Sequence, residues 1–345
     1  MKIISRDMVT DILAAGQTAA AFCESGETVV FETRDCYDDN DITEDAPMGT
    51  RGEELENPAT GPLFIEGAEP GDVLKVEIQK IELREYGVMC TSTDGGAFCH
   101  LYEEPKARRF FFSIHPETGR LGFWFEEKLW LDADPMIGVI GTAPEGDGVP
   151  AITPGPHGGN LDCRRIREGS VLYLPVNVLG ALLSIGDLHA LMGDGETGIC
   201  GLETAGRVTV RVTALKEEEA ARYGMLGEGI SDDGISGDEM AGAGLTSGEA
   251  ASRVFRAVRA ALPLLKEGDQ VMTIQSAETL DKAALLAANK MRELAAAASG
   301  MDLVNSGMAM SLLGDLAVCQ IVNPLKTVRC QFPLKVLAEY GFCLP

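Results

Sequence analysis

The sequence predicts a mainly β protein with a smaller α/β portion toward its end. Short apolar runs punctuated by glycine and proline fill the first two-thirds of the chain, whereas helical spacing is concentrated in the last third. These segments alternate too irregularly for a doubly wound parallel sheet. We therefore predict a β-sandwich core, in which two sheets pack face to face, with helices near the end of the chain.

The predicted strands are short and closely spaced. Residues 69–72 read Glu-Pro-Gly-Asp, with proline and glycine where a type II turn requires them, and residues 73–78 then alternate like a half-buried strand. Comparable runs occupy residues 28–33, 61–65, 110–114, 122–125, 136–140, 170–174 and 207–212. Their close punctuation by turn residues indicates sandwich or barrel geometry.

The last third changes character. Residues 247–265 have helical spacing, Ser276 opens a helix that Gly300 ends, and residues 303–313 form another helix. Short strands are predicted at 271–274, 318–322 and 327–332. We expect three portions: 1–215, β-rich and carrying the site; 216–250, a glycine-rich acidic loop; and 251–345, an α/β portion that completes the fold.

Composition excludes several classes of partner. The 345 residues contain 29 Lys and Arg against 53 Asp and Glu, a formal net charge of -24 that repels nucleic acid and anionic membranes. No apolar run reaches the roughly 18 residues of a membrane span. Asp7 and Asp11 interrupt the apolar start, so we do not predict a signal peptide. Nine cysteines without a CxxC pair are typical of reduced thiols, which predicts a cytoplasmic protein.

One stretch concentrates the residues that carry chemistry. Between residues 154 and 203, glycines surround the histidines His157 and His189 and the acidic residues Asp162, Asp187, Asp194, Glu196 and Glu203. Imidazole and carboxylate at this density indicate a site that binds a metal, transfers protons, or does both. The alternative is structural: Asp187 and Asp194 each follow a glycine and also suit turns. His100 and His115 have no comparable setting and are predicted to be surface or packing residues.

Several blocks carry a family resemblance along most of the chain. They are residues 57–62 with 66–72, 135–141, 154–162, 172–176, 186–190 with 193–196, and 314–316 with 323–329. In their number, order and spacing, the chain resembles the acetamidase/formamidase family of amide hydrolases. The resemblance implies intertwined β-sandwich halves, a homodimer, a divalent metal that is commonly zinc, and hydrolysis of short amides to a carboxylate and ammonia. The 217–249 loop and the placement of Cys200 depart from the family pattern.

Four residues are candidate metal ligands. Asp187 and His189 are two apart, so on a strand they would face the same side. Asp35 matches an acidic position in the family, and Asp162 is a further candidate. A catalytic zinc needs about three protein ligands and an open position, which this set can provide.

Amide hydrolysis also needs a group that takes a proton from water and gives one to the leaving nitrogen. The candidates are Glu69 and Glu203, then Glu66, with His157 close by. A thiol nucleophile at Cys200 is the alternative, but the surrounding carboxylates oppose thiolate formation.

The developing oxyanion requires hydrogen-bond donors. The backbone amides of Gly158 and Gly159 and the side chain of Asn160 are the candidates. Two other functions stay open: hydrolysis of another C–N bond, such as that of a lactam, and a non-catalytic metal-binding β protein.

Overall fold

The computed structural model describes residues 1–47, 55–219 and 247–344. Most of the predicted acidic loop lies outside these residues; within 216–250, the described parts are a 3-10 turn at Glu217–Glu219 and the start of a helix at Ser247. The helices are α1 (Ser247–Ala261), α2 (Leu280–Ser299), α3 (Leu303–Leu313) and α4 (Leu334–Ala338). In the described ranges, no helix is long and apolar enough to cross a membrane.

Strands dominate the chain, as predicted, and the mainly β fold class with C-terminal helices is confirmed. The first eleven are β1 (Lys2–Ile4), β2 (Val9–Thr10), β3 (Ile12–Leu13), β4 (Ala21–Glu24), β5 (Thr28–Thr33), β6 (Ala59–Glu66), β7 (Val73–Leu83), β8 (Tyr86–Cys90), β9 (Ala107–Phe111), β10 (Ser113–Ile114) and β11 (Leu121–Phe125). The others are β12 (Leu129–Asp132), β13 (Met136–Gly141), β14 (Val149–Pro150), β15 (Val171–Pro175), β16 (Leu183–His189), β17 (Glu203–Thr204), β18 (Gly206–Leu215), β19 (Leu264–Glu267), β20 (Gln270–Ala277), β21 (Asp315–Gln320) and β22 (Lys326–Pro333).

A nine-stranded sheet joins the two ends of the chain. Its order is β1-β5-β18-β7-β15-β19-β20-β22-β21, so the late strands extend a sheet that the early strands begin. The join is the antiparallel pairing of β15 with β7 on one side and β19 on the other. The C-terminal portion therefore completes a layer of the sandwich.

A second sheet packs against the first and carries the site. Its order is β2-β6-β16-β17-β8-β9, with β13 also paired to β16 and β4 to β6. One core cluster contains buried side chains of both sheets, such as Phe31 and Val208 from the nine-stranded sheet and Leu63 and Leu188 from the other. Every residue of β16 is buried, because neighbouring strands flank it and the opposing sheet covers it.

Helices α1 and α2 cover the other face of the nine-stranded sheet. Val258 and Met291 share a second core cluster with Tyr173 of β15 and Val271 of β20. The α2 helix begins later than predicted: β20 continues past Ser276 to Ala277, and α2 starts after an N-cap at Thr279. Its predicted end is correct, since Gly300 adopts φ 74 at the C-cap.

We predict that Leu172→Ala lowers the free energy of unfolding by about 2–5 kcal/mol, because a fully buried leucine between β7 and β19 would leave a cavity. The measurement is chemical denaturation followed by circular dichroism. Leu101→Ala is the control: Leu101 is 67% exposed, and its truncation should change stability by less than about 0.5 kcal/mol. Equal losses in the two variants would contradict the assigned core.

Candidate active site

Strand β16 brings the candidate residues together at its end. His189 closes the strand and pairs in register with Glu203 of β17, so the two side chains stand side by side. Asp187 lies two residues earlier, and Asp162 follows the backbone pairing of Val139 with Asn160. Glu196 is in the turn beyond β16, where the backbone of Gly195 bonds to Cys319 and Ile321.

The imidazole of His189 is the centre of this group. Its Nε2 lies 3.1 Å from Glu203 Oε1, 3.4 Å from Asp187 Oδ1 and 3.7 Å from Asp162 Oδ1. Together with Glu196, these residues form the carboxylate cluster: Asp162, Asp187, His189, Glu196 and Glu203. Each residue is at most 6% exposed. In the described parts of the chain, no lysine or arginine forms a salt bridge with any of the four carboxylates.

Backbone strain marks the same residues. Asp162, Asp187 and Glu196 have φ values of 42, 53 and 46, in the left-handed region that side chains rarely occupy. Such conformations cost about 1–3 kcal/mol each and persist where the surroundings enforce them, often at functional sites. The left-handed backbone of Asp187 also interrupts the regular alternation of β16. Asp187 and His189 still converge, as predicted, but simple strand geometry is not the reason.

Single hydrogen-bond donors orient three of the carboxylates. The side-chain amides of Asn57 and Asn323 donate to Asp187 Oδ2 at 2.9 Å and to Asp162 Oδ2 at 2.6 Å. The backbone N–H of Gly201 donates to Glu203 Oε1 at 2.9 Å. In each case the second oxygen is buried without a hydrogen-bond partner. The cluster thus presents bare carboxylate oxygens toward a shared space.

Sequence reasoning missed the two asparagines as site residues. Each begins an Asn-Pro pair inside a block already recognised, at residues 57–62 and 323–329. Their positions were visible, but their targets lie more than 100 residues away in sequence. Only the folded chain pairs them with Asp187 and Asp162.

Burial and mutual repulsion shift the acid–base properties of the cluster. Burial, followed by the charge of Asp187, raises the pKa of Asp162 to about 6, and burial raises the pKa of Glu203 to about 8. Burial also raises the pKa of Glu196 well above its ordinary value. For His189, burial is outweighed by the charges of Glu203 and Asp187, so its pKa rises. Burial of Asp187 is outweighed by the charge of His189 together with hydrogen bonds to His189, Glu203 and Asn57, so the pKa of that carboxyl is lowered.

These donors fit a divalent cation. Asp162, His189 and Glu196 offer ligand atoms that all lie within 4.8 Å of one another, and so does the separate trio of Cys36, Asp187 and Glu203. Bare, buried carboxylate oxygens beside an imidazole carry an unfavourable charge that a bound cation would neutralise. Two cavities of about 370 and 360 Å³ in the described chain are lined by other residues.

Asp35 lies outside the carboxylate cluster, so its prediction as a metal ligand is wrong. Its Oδ1 accepts hydrogen bonds from the backbone N–H groups of Tyr37 and Asp39, at 3.1 and 2.9 Å, and its Oδ2 pairs with Arg84. Both oxygens are therefore occupied. The next residue, Cys36, reaches the site instead.

The structure places Glu66 and Glu69 at the surface. Glu66 is exposed at the end of β6. Glu69 lies in the predicted turn, where its side chain is 67% exposed and 3.2 Å from Lys216. Neither carboxylate reaches His189, so of the candidate acid–base carboxylates only Glu203 lies in the cluster.

The prediction that the backbone N–H groups of Gly158 and Gly159 stabilise an oxyanion is also wrong. The N–H of Gly158 donates to Gly155 O at 3.0 Å, and that of Gly159 donates to Ile140 O at 3.1 Å. These bonds leave no backbone N–H for a substrate there. Asn160 remains beside the cluster: Asn323 Nδ2 bonds to its backbone oxygen at 3.1 Å, and its side-chain Oδ1 is buried without a partner.

Three further residues of the stretch have distinct settings. His157 is buried, its Nε2 has no partner, and burial lowers its pKa to about 4. Asp194 forms a two-point ion pair with Arg329, at 2.6 and 2.7 Å, in keeping with a structural role. Burial raises the pKa of Cys200, whose sulfur contacts the backbone of Cys90, which argues against a thiolate nucleophile.

Comparison with known proteins identifies the family of the chain. The model of the Acetamidase/Formamidase family matches residues 17–147 and 145–233. This chain belongs to that family. The resemblance inferred from the sequence blocks is therefore confirmed.

Solved structures extend the likeness over the full chain. An acetamidase from Bacillus halodurans is 38% identical, with a TM-score of 0.82, over 98% of this chain and 99% of that one. A predicted acetamidase/formamidase from Thermoanaerobacter tengcongensis is 34% identical, with a TM-score of 0.82, over 99% of both chains.

Curated relatives match over a shorter span. The acetamidase of Mycolicibacterium smegmatis is 27% identical over 259 residues, which is 57% of this chain and 64% of that protein. The alignments with three curated relatives span between 53% and 64% of the relatives' own lengths.

We predict that Gly138→Ala weakens divalent-cation binding by about tenfold or more, because its Cβ would lie 2.6 Å from both Asp162 Oδ1 and Asp187 Oδ2. Calorimetric titration of the metal-stripped protein with zinc measures the affinity. Gly193→Ala is the matched control, since a Cβ there meets nothing within 4 Å. Unchanged affinity in Gly138→Ala would show that Asp162 Oδ1 does not contact the ion.

A second prediction concerns His157 and pH. Its pKa is about 4 in the folded chain against an ordinary 6.5, so only the unfolded chain takes up a proton as the pH falls through 6.5. The protein should therefore lose up to about 3 kcal/mol of stability between pH 6.5 and 4 from this group. Urea unfolding at several pH values, compared with His157→Gln, isolates the effect. Parallel pH profiles for the two proteins would refute it.

Proposed function

We propose that this chain hydrolyses short aliphatic amides, such as formamide and acetamide, to a carboxylate and ammonia. The observation that carries the proposal is the carboxylate cluster: four buried carboxylates around His189, each with an oxygen lacking a hydrogen-bond partner. Membership of the acetamidase/formamidase family supports the reaction class. The names of the full-length structural relatives support the amide substrates.

We further propose that Asp162, His189 and Glu196 hold a divalent metal, with zinc as the expected ion. Carboxylate and imidazole are ordinary zinc ligands, and three protein ligands leave a position open for substrate or water. A bound metal of this kind would polarise the amide carbonyl and lower the pKa of water. Asn323 orients Asp162 for this role by holding its other oxygen at 2.6 Å.

Glu203 is the proposed proton carrier. The Gly201 N–H holds its Oε1, so Oε2 is left to take a proton from the attacking water and deliver it to the leaving nitrogen. Burial raises its pKa to about 8, which brings the carboxyl close to the working range of a general base and acid. Asp187 lies 3.4 Å from His189 Nε2 and helps to hold the imidazole in place.

Asn160 is the proposed contact for the substrate amide group. Its Oδ1 is a buried acceptor without a partner, close to Asp162 through their shared contact with Asn323. A primary amide carries two N–H donors, which such an acceptor would bind. An ester lacks these donors, so this contact favours amides.

We predict that chelator-stripped protein releases no ammonia from formamide or acetamide and regains activity with zinc. In the zinc-reloaded protein, Glu203→Gln should lower kcat/KM by about 10²-fold or more. The glutamine side chain cannot take a proton from water or deliver one to the leaving nitrogen. Glu69→Gln is the matched control and should keep full activity, since Glu69 is a surface residue. Ammonia release in an enzyme-coupled assay provides the measurement.

Two outcomes would overturn the proposal. Full activity without metal would remove the cation from the reaction. Zinc-loaded protein that opens lactams but releases no ammonia from linear amides would replace the proposed substrate class with a cyclic one.

A further inference from the structure

A thiol adjoins the carboxylate cluster beside Asp187 and Glu203. Cys36 Sγ and the carboxylate oxygens of Asp187 and Glu203 lie within 4.8 Å of one another. The trio shares no residue with Asp162, His189 and Glu196, although the two groups meet at His189, 3.1 Å from Glu203. The hydrogen bonds that occupy Asp35 fix the backbone immediately before the thiol.

The two carboxylates of this trio have free acceptors. Asp187 Oδ1 and Glu203 Oε2 have no hydrogen-bond partner, and both side chains are 2% exposed. Their other oxygens are held by Asn57 and by the Gly201 N–H. Cys36 as a residue is partly exposed, but burial and then the charges of Glu203 and Asp187 raise the pKa of its thiol well above the ordinary value.

Charge favours a second cation here. The cluster contains four buried carboxylates, so one divalent ion at Asp162, His189 and Glu196 leaves the centre negative when the carboxylates are ionised. Unit charges a few ångströms apart in a poorly solvated site attract by several kcal/mol.

The thiol determines which ion fits. A thiolate with carboxylates selects borderline or soft cations such as Zn²⁺, Co²⁺ and Cd²⁺ over Mg²⁺ and Ca²⁺, which prefer oxygen alone. On binding, the Cys36 S–H bond breaks, the proton passes to solvent, and an Sγ–metal bond forms. No electron is transferred, so no oxidant is needed.

We propose that Cys36, Asp187 and Glu203 form a second, inhibitory metal position for thiophilic divalent cations. Occupation engages Glu203, the proposed proton carrier, and so prevents it from serving water and the leaving nitrogen. This inference rests on the proposed function for its inhibitory effect, while the position itself rests on the geometry. Excess zinc then inhibits an enzyme that a first zinc ion activates.

The test compares wild type, Cys36→Ser and Cys200→Ser after metal stripping. Cys200 is the matched control, because its sulfur contacts the Cys90 backbone and does not belong to the trio. Each protein is titrated with Co²⁺ or Zn²⁺, bound metal is counted after equilibrium dialysis, and the near-ultraviolet thiolate-to-cobalt absorption is recorded. Ammonia release is then followed across zinc concentrations.

Wild type and Cys200→Ser should bind a second ion per chain with a thiolate-to-cobalt band, and their activity should fall at high zinc. Cys36→Ser should lose the band and require about tenfold or more zinc for inhibition. Saturation of wild type by a single ion, or an unchanged band in Cys36→Ser, would overturn the proposal. If no ammonia is released at any zinc concentration, the proposed function fails. The number of metal ions bound per chain and the thiolate-to-cobalt absorption band then decide by themselves whether the second metal position exists.

Discussion

The burial of four carboxylates around one histidine is the constraint on which the rest of the site depends. Taking a charged carboxylate out of water costs several kcal/mol unless it is protonated, paired or bound to a cation. In this protein, Asp162, Asp187, Glu196 and Glu203 have no described lysine or arginine partner, and His189 alone faces three of them. Raised pKa values at Asp162, Glu196 and Glu203 are the electrostatic result.

The fold supplies the rigidity that this arrangement requires. Strand β16 is buried along its whole length, with β6, β13 and β17 as neighbours, and it delivers Asp187 and His189 to one point. Gly138 of β13 provides the space, because any side chain there would meet two carboxylate oxygens at 2.6 Å. The left-handed backbone at Asp162, Asp187 and Glu196 is tolerated because packed strands and paired turns hold it.

The sequence predicted the parts of this account that depend on local pattern. Period-two runs and turn residues identified a mainly β chain, and the density of His, Asp and Glu between residues 154 and 203 located the cluster. The sequence pattern did not reveal the residues from distant segments that contact the carboxylate cluster. Asn57, Asn323 and Cys36 reach the site through the sheet topology, and no local spacing records that approach.

The errors have equally physical causes. Glu69 occupies a turn whose sequence signals were interpreted as acid–base chemistry, and its side chain is solvated. Asp35 is buried as a catalytic residue would be, but Arg84 and two backbone N–H groups satisfy it. Gly158 and Gly159 allow close backbone approach, yet their N–H groups already donate to the carbonyl of Gly155 in the local turn and to that of Ile140 in β13. The residue type shows which chemical roles a side chain or backbone group could take. The hydrogen bonds that it already makes in the folded chain decide whether it is free to take them.

The measurement that tests the central claim most directly is anomalous X-ray scattering at the zinc edge from crystals of the zinc-loaded protein. The account predicts a strong peak at bonding distance from Asp162, His189 and Glu196. The absence of a peak at these three residues at saturating zinc would contradict the assignment of these buried carboxylates as a metal-dependent active site.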